Sequence, residues 1–117
     1  MTADLQQLII EGIQERKGRG ITAVDLSGIP GAATQGFIIC QGSSPTQVAA
    51  IADSVREYVQ QKGGVKPYNY DGYRNSQWIV IDYGELLVHI FLPDTRALYN
   101  LEDLWSDAKI TEIPDLD

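Results

Sequence analysis

The chain holds one histidine and one cysteine, and the histidine is the residue around which chemistry could be built. His89 lies in the run Asp82-Tyr83-Gly84-Glu85-Leu86-Leu87-Val88-His89-Ile90-Phe91, a few positions after two carboxylates. A carboxylate that orients an imidazole suits a general base, provided a nucleophile or a bound water is within reach. No Gly-x-Ser-x-Gly elbow and no second histidine accompanies it. Zinc would need further nitrogen or sulfur ligands, and only Cys40 could add one. Cys40 stands inside Phe37-Ile38-Ile39-Cys40, where a buried, inert thiol is the expectation. Neither a metal nor a cofactor is expected.

A second route to chemistry is Gly42-Ser43-Ser44 at a strand-to-helix junction. Nucleotidyltransferases place a Gly-Ser pair there, where N–H groups of a helix N-terminus can hold a triphosphate. They then need two carboxylates flanking one residue on the next strand, to hold two metal ions. No strand read after Gly42 carries that pattern: Asp53 stands alone in a helical stretch, and Asp82 and Glu85 are separated by a turn. Ser43-Ser44 therefore reads as a helix cap.

Strand parity gives His89 its other readings. In the strand 86–92, Leu87, His89 and Phe91 share one face, and Val88, Ile90 and Leu92 the other. A two-residue hairpin loop after Asp82 puts Trp78 and Val80 on the His89 face; a three-residue loop would reverse this. The face of Ile79, Ile81, Val88 and Ile90 is aliphatic and reads as core. The other face mixes tryptophan, histidine and phenylalanine with an aspartate at its end. It suits the aromatic centre of a protein interface, although a helix covering this face would make His89 a hydrogen-bonded core residue. Core, interface and catalysis all stay open at this point.

The elements that must position these residues can be read in order. Leu5, Leu8, Ile9 and Ile13 form an apolar stripe on a helix over 3–17. Residues 21–26 are β-branched and short, a strand leading into the turn 27–31. Phe37 to Cys40 is apolar without alternation, as in a central strand covered on both faces. Ser44 as N-cap, Pro45 at the first helical position and Gln47 completing a capping box start a second helix. Its buried stripe is Val48, Ile51, Ala52, Val55 and Val59, and Gly63-Gly64 stops it. Residues 65–70 read as an edge strand because of Pro67, and Asp71-Gly72 as a turn. Strands over 77–82 and 86–92 form a tight hairpin. Asp94 and Asn100 read as successive helix caps, the second followed by Leu101, Leu104 and Trp105 on one face. The order is α-β-β-α-β-β-β-α: a mixed five-stranded sheet packed with helices, α/β (α+β) in class. Residues 1–108 form one domain, and 109–117 an acidic tail expected to be mobile.

Composition narrows the partners. With 117 residues the chain can bury one core. Sixteen acidic against nine basic residues give a net charge of −7, which disfavours a phosphate backbone and favours a basic protein surface. Arg16, Lys17 and Arg19 cluster at the end of the first helix, where cations complement the helix dipole. The first residues lack the cationic and apolar segments of a signal peptide, and no stretch is long enough to span a bilayer. A cytoplasmic location is expected.

The string Trp78-Ile79-Val80-Ile81-Asp82-Tyr83-Gly84-Glu85-Leu86-Leu87-Val88-His89-Ile90-Phe91, with Arg96, Tyr99, Leu101, Glu102, Leu104 and Trp105, resembles the ribosomal silencing factors, or Iojap-like proteins. Phe37 to Cys40 followed by Gly42, Ser44, Gln47, Val48, Ile51, Ala52 and Asp53 fits as well, so the resemblance runs from about residue 5 to 108. It implies a nucleotidyltransferase-like fold without the catalytic carboxylates, and no enzymatic activity. It also implies binding to the large ribosomal subunit through its protein fourteen at the intersubunit face. Bound there, such a factor blocks joining of the small subunit and represses translation; a role in large-subunit biogenesis and a homodimeric free state are implied too. Neither membrane binding nor sequence-specific nucleic-acid binding is expected. On this reading Trp78, Val80, Asp82, Tyr83, Glu85, Leu87 and His89 lie in or beside the partner-binding surface. The chain departs from the family at Gln35, where an acidic residue is usual, at Glu85 in place of aspartate, and at Asp71-Gly72 in place of Glu-Gly. Tyr73 and Arg74 enlarge that loop. The alternative from another class is a divergent nucleotide-binding or nucleotidyltransferase enzyme using the Gly42-Ser44 corner.

Overall fold

The structure, a computed structural model, describes residues 2–32 and 34–116. A first helix, α1 (Thr2–Glu15), precedes β1 (Arg19–Asp25) and β2 (Gly36–Gln41). Helix α2 (Pro45–Gly63) leads to β3 (Asn69–Asp71), β4 (Trp78–Asp82) and β5 (Leu86–Phe91). Two short helices, α3 (Pro93–Tyr99) and α4 (Leu101–Leu104), and a last strand, β6 (Lys109–Glu112), complete the chain. The six strands form one sheet in the order β3-β4-β5-β2-β1-β6. Strands β2 and β5 run parallel, and every other neighbouring pair is antiparallel.

Helix α2 forms where its caps and stripe place it. Ser44 is extended at the N-cap and its Oγ accepts from the Gln47 N–H at 3.1 Å. The reciprocal half of a capping box is shifted by one residue: Gln47 Oε1 accepts from the Ser43 N–H at 2.7 Å, not from that of Ser44. Gly64 ends the helix at φ +66°, and its N–H reaches the Gln60 carbonyl. A side chain at that left-handed position would be strained. The five residues of the expected stripe are all fully buried. Helices α1 and α2 cover one face of the sheet and enclose Ile38, Cys40, Ile79, Ile81, Val88 and Ile90.

The opposite face is covered only in part. Val24, Leu26, Phe37, Ile39 and Phe91 form a second, smaller core beneath Leu101, Trp105 and Ala108. Strand β2 is buried along its apolar length because it has a core on each face, as its unbroken apolar run requires.

Several expectations change. The sheet has six strands, not five: Lys109–Glu112 pairs antiparallel with β1 instead of forming a mobile tail. Strand β3 begins only at Asn69, so Pro67 lies before the ladder, where its missing N–H is no penalty. Leu92, not Asp94, is the N-cap of α3, with Pro93 opening the helix. Asn100 turns the chain in the left-handed conformation between α3 and α4 but makes no side-chain cap, and Leu104 is exposed instead of sharing a buried face with Leu101 and Trp105.

Candidate functional site

The β4–β5 hairpin settles the parity question. Asp82 pairs with Leu87, Val80 with His89 and Trp78 with Phe91. The Tyr83 N–H donates to the Leu86 carbonyl at 2.9 Å, leaving Gly84 and Glu85 as a two-residue loop. Gly84 has φ +85°, which the first position of such a loop demands. Asp82 Oδ1 accepts from the Gly84 N–H at 2.7 Å and braces the turn. The loop is also tied to β2: the Gln35 N–H and the Thr34 hydroxyl both donate to the Glu85 carbonyl, at 3.0 and 2.7 Å. Trp78, Val80, Asp82, Leu87 and His89 therefore share one sheet face.

His89 occupies the floor of that face. It is 8% exposed, and its Nδ1 accepts a hydrogen bond from Trp78 Nε1 at 3.0 Å. An indole N–H only donates, so Nδ1 carries no proton and the neutral ring holds its proton on Nε2. Phe37 meets the imidazole edge-on at 5.4 Å and Phe91 lies parallel to it at 6.1 Å. Burial lowers the His89 pKa to about 4. The imidazole is thus committed to Trp78 and enclosed by aromatic rings, which suits positioning the indole more than accepting a proton from a substrate.

Trp78 is the half-buried centre of the surface. Phe91 stacks on it at 5.0 Å, and Tyr99 from α3 lies over it at 4.7 Å. Val80, Asp82 and Leu87 extend from it toward the hairpin tip and are half-exposed. Among the described residues, α3 and α4 pack through Leu101 and Trp105 on the smaller core of β1, β2 and β5, with Leu87 and Trp78 at its margin and Tyr99 over Trp78. Glu85 is half-exposed at the tip itself.

Tyr83 does not join them. It is 5% exposed and belongs to the core beneath α1 and α2, on the other side of the sheet. Its hydroxyl is buried without a hydrogen-bond partner, and burial raises its pKa to about 12.

Sequence reasoning did not anticipate how the Arg96-to-Trp105 segment serves this face. Arg96 is 13% exposed at its side chain and ties the segment to the sheet. Its guanidinium donates to the Gly20 carbonyl at 2.7 Å, Gln41 Oε1 at 3.2 Å and Thr22 Oγ1 at 3.1 Å. It also meets Glu102 Oε2 at 2.8 Å from Nη2 and at 3.2 Å from Nε. Trp105 then packs edge-on against Phe37 at 6.4 Å. The spacing of Arg96, Tyr99, Glu102 and Trp105 was the available signal: one ion pair and two aromatic anchors on consecutive turns.

The Gly42-Ser44 corner is closed by its own side chains. Gln47 Oε1 takes the Ser43 N–H and hydroxyl, and Ser44 Oγ takes the Gln47 N–H. Cys40 is fully buried, and burial pushes its thiol up to about 12, which keeps it protonated. Among the described residues no helix is long and apolar enough to cross a membrane.

A family described as "Ribosomal silencing factor during starvation" matches residues 2–117. The chain is 37% identical to a ribosomal silencing factor RsfS of Halalkalibacterium halodurans, over 94% of this chain and 92% of that protein. It is 33% identical, over 62% of its length, to a third of the mouse protein named mitochondrial assembly of ribosomal large subunit protein 1. A crystal structure of a Chromobacterium violaceum protein matches with a TM-score of 0.83 at 32% identity, covering 89% of this chain and 85% of that one.

Proposed function

This chain belongs to the ribosomal silencing factor family, and on that premise we propose that it represses translation by steric block, without a chemical step. It docks on the large ribosomal subunit through the subunit's protein fourteen at the intersubunit face, and so prevents joining of the small subunit. The same docking aids large-subunit biogenesis, in keeping with the name of the mouse relative. The mixed sheet is read as a nucleotidyltransferase-like scaffold that now serves recognition. The protein acts in the cytoplasm and is a homodimer when free.

The observation that carries this reading is the uncovered part of the second sheet face. Trp78, Val80 and Leu87 keep apolar area accessible beside the Asp82 carboxylate, with Tyr99 over one side of Trp78. Between Trp78 and Asp107 the chain has six acidic residues and one arginine, and that arginine is bonded internally. An apolar centre with an acidic surround fits a protein surface with lysines and arginines around an apolar patch. A phosphate backbone would be repelled by the same field.

Sedimentation of the purified protein with large subunits through a sucrose gradient tests the reading. The wild type should travel with the subunit, and Trp78→Ala should remain at the top while still folded. A wild type that does not travel with the subunit sinks the proposal. Asp82→Asn is the sharper charge test, because the amide oxygen can still accept from the Gly84 N–H while the charge is gone. It should slow association more than it speeds dissociation, as expected of a charge at the edge of an interface.

A further inference from the structure

We infer that α3 and α4 carry a second set of docking side chains, Leu98 and Leu104, which engage the same basic protein surface as Trp78. The inference rests on the docking reading above and extends it to a part of the chain that reading does not use.

Neither short helix buries a residue completely, yet the pair is held with unusual care. Arg96 makes five hydrogen bonds to β1, β2 and α4, with its side chain only 13% exposed. Tyr99 rests on Trp78 and Trp105 on Phe37. Such fixing limits the freedom of the segment's backbone, and a backbone already held in place loses less entropy when a partner binds. The segment's outward side chains include Leu98, 78% exposed, and Leu104, 71% exposed.

One exposed leucine needs no explanation. Here two leucines each immediately precede an aromatic anchor, Leu98 before Tyr99 and Leu104 before Trp105. Each therefore flanks a side chain that is itself fixed on the second sheet face. Tyr99, half-exposed and in contact with Trp78, makes the leucine-bearing segment continuous with the Trp78 surface. Asp94, Asp103 and Asp107 are exposed on the same segment, so the acidic surround continues with the apolar side chains. A partner with an apolar patch among lysines and arginines is matched by both halves of this surface.

The test is equilibrium binding of the full chain to salt-washed large subunits at fixed ionic strength. Leu98→Ser/Leu104→Ser should bind about tenfold or more weakly, the range of an interface anchor, with an unchanged thermal midpoint because both positions are exposed. Leu98→Met/Leu104→Met should restore most of the affinity. If the serine pair lowers the midpoint, Leu98→Ser alone is measured against the same expectation. Affinity within twofold of wild type for a folded serine variant overturns the inference and leaves the Trp78 reading standing. A serine variant whose self-association changes while its subunit affinity does not assigns the leucines to a second copy, and also overturns it. A wild type that does not bind the subunit overturns both readings.

Discussion

The indole N–H of Trp78 donates to Nδ1 of His89 across 3.0 Å, joining diagonal neighbours on one face of the β4–β5 ladder through their side chains. The bond exists only while His89 is neutral, because a protonated Nδ1 has no lone pair to offer. With its pKa lowered to about 4 by burial, the folded protein resists taking a proton that the unfolded chain accepts near 6.5. Stability from this group is therefore fully present above pH 6.5 and is lost as pH falls from there through about 4. The window corresponds to roughly 3 kcal/mol. Urea unfolding at pH 7, 5.5 and 4 should show this loss in the wild type. His89→Gln, which keeps an acceptor for Trp78 without a titrating ring, should lose less over the same range. Parallel pH curves for the two proteins would refute the assignment.

Tyr83 gives a prediction of the opposite sign. Its buried hydroxyl has no partner, and an unsatisfied buried polar group costs about 1–3 kcal/mol. Tyr83→Phe removes the hydroxyl and keeps the ring packed in the α1–α2 core. Thermal unfolding should show a variant at least as stable as wild type. Binding to the large subunit should not change, since Tyr83 lies on the far side of the sheet from Trp78. A clear loss of stability would mean that the hydroxyl has a partner in solution.

Tyr83 also marks where the sequence stopped being informative. The alternation of Trp78, Val80 and Asp82 along one strand and of Leu87, His89 and Phe91 along the next was readable from the sequence, because side chains in a strand alternate strictly; that the two rows share a face depended on the two-residue loop. Grouping Tyr83 with Asp82 followed the contiguous string instead of that alternation, and the string crosses the sheet at every residue. Helix α2 was legible to the residue, since Ser44, Pro45 and Gly64 each act locally. Strand β6 was not. Lys109-Ile110-Thr111-Glu112 is short and polar, and it is a strand only because β1, more than eighty positions earlier, offers it an open edge. The role of Arg96 was hidden for the same reason: the atoms it reaches on Gly20, Thr22 and Gln41 are close only in the fold.

Arg96 should be replaceable by neither lysine nor alanine. A lysine keeps the charge but has no planar fork to reach Glu102 from two nitrogens while also serving β1 and β2. Arg96→Lys should destabilise by roughly 1–3 kcal/mol, a few hydrogen bonds to a nearly buried charged group. Hydrogen exchange locates the effect: amides of α3 and α4 should exchange faster in the variant, and those of α2 should move only with global stability. Uniform acceleration over the whole chain would show that Arg96 supports the fold at large and not this segment.

The hairpin tip makes a conformational prediction. Gly84 has φ +85°, and a Cβ placed there would come within 2.7 Å of the Tyr68 ring. Gly84→Ala should therefore cost more than the 0.4–1 kcal/mol scale on which Gly-to-Ala changes act through the unfolded chain, roughly 1–2 kcal/mol in sum, because φ and space both oppose it. Pairing Gly84→Ala with Tyr68→Ala separates the two causes. If the double variant recovers part of the loss, the ring contact contributes; if it recovers none, the backbone angle alone is responsible.

Removal of β6 tests whether the last residues belong to the fold. The strand completes the β1 edge, the Ile113 N–H donates to the Ile21 carbonyl at 2.9 Å, and Asp115 takes the Gly20 N–H at 2.9 Å and Arg19 at 3.2 Å. A chain ending at Ala108 exposes the backbone of β1 beside Ile21, Ala23 and Val24, which are buried in the intact protein. An open apolar edge pairs readily with other chains. The truncated protein should unfold at lower urea concentration and scatter light on heating where the intact protein does not. Thr111→Pro in the full-length chain should reproduce part of both effects, because Thr111 lies opposite Ala23 two residues before Ile113 and its N–H faces β1 in the same way. A truncated protein with the same urea midpoint and no added scattering would show that β1 is an adequate edge by itself and that β6 is dispensable to the sheet.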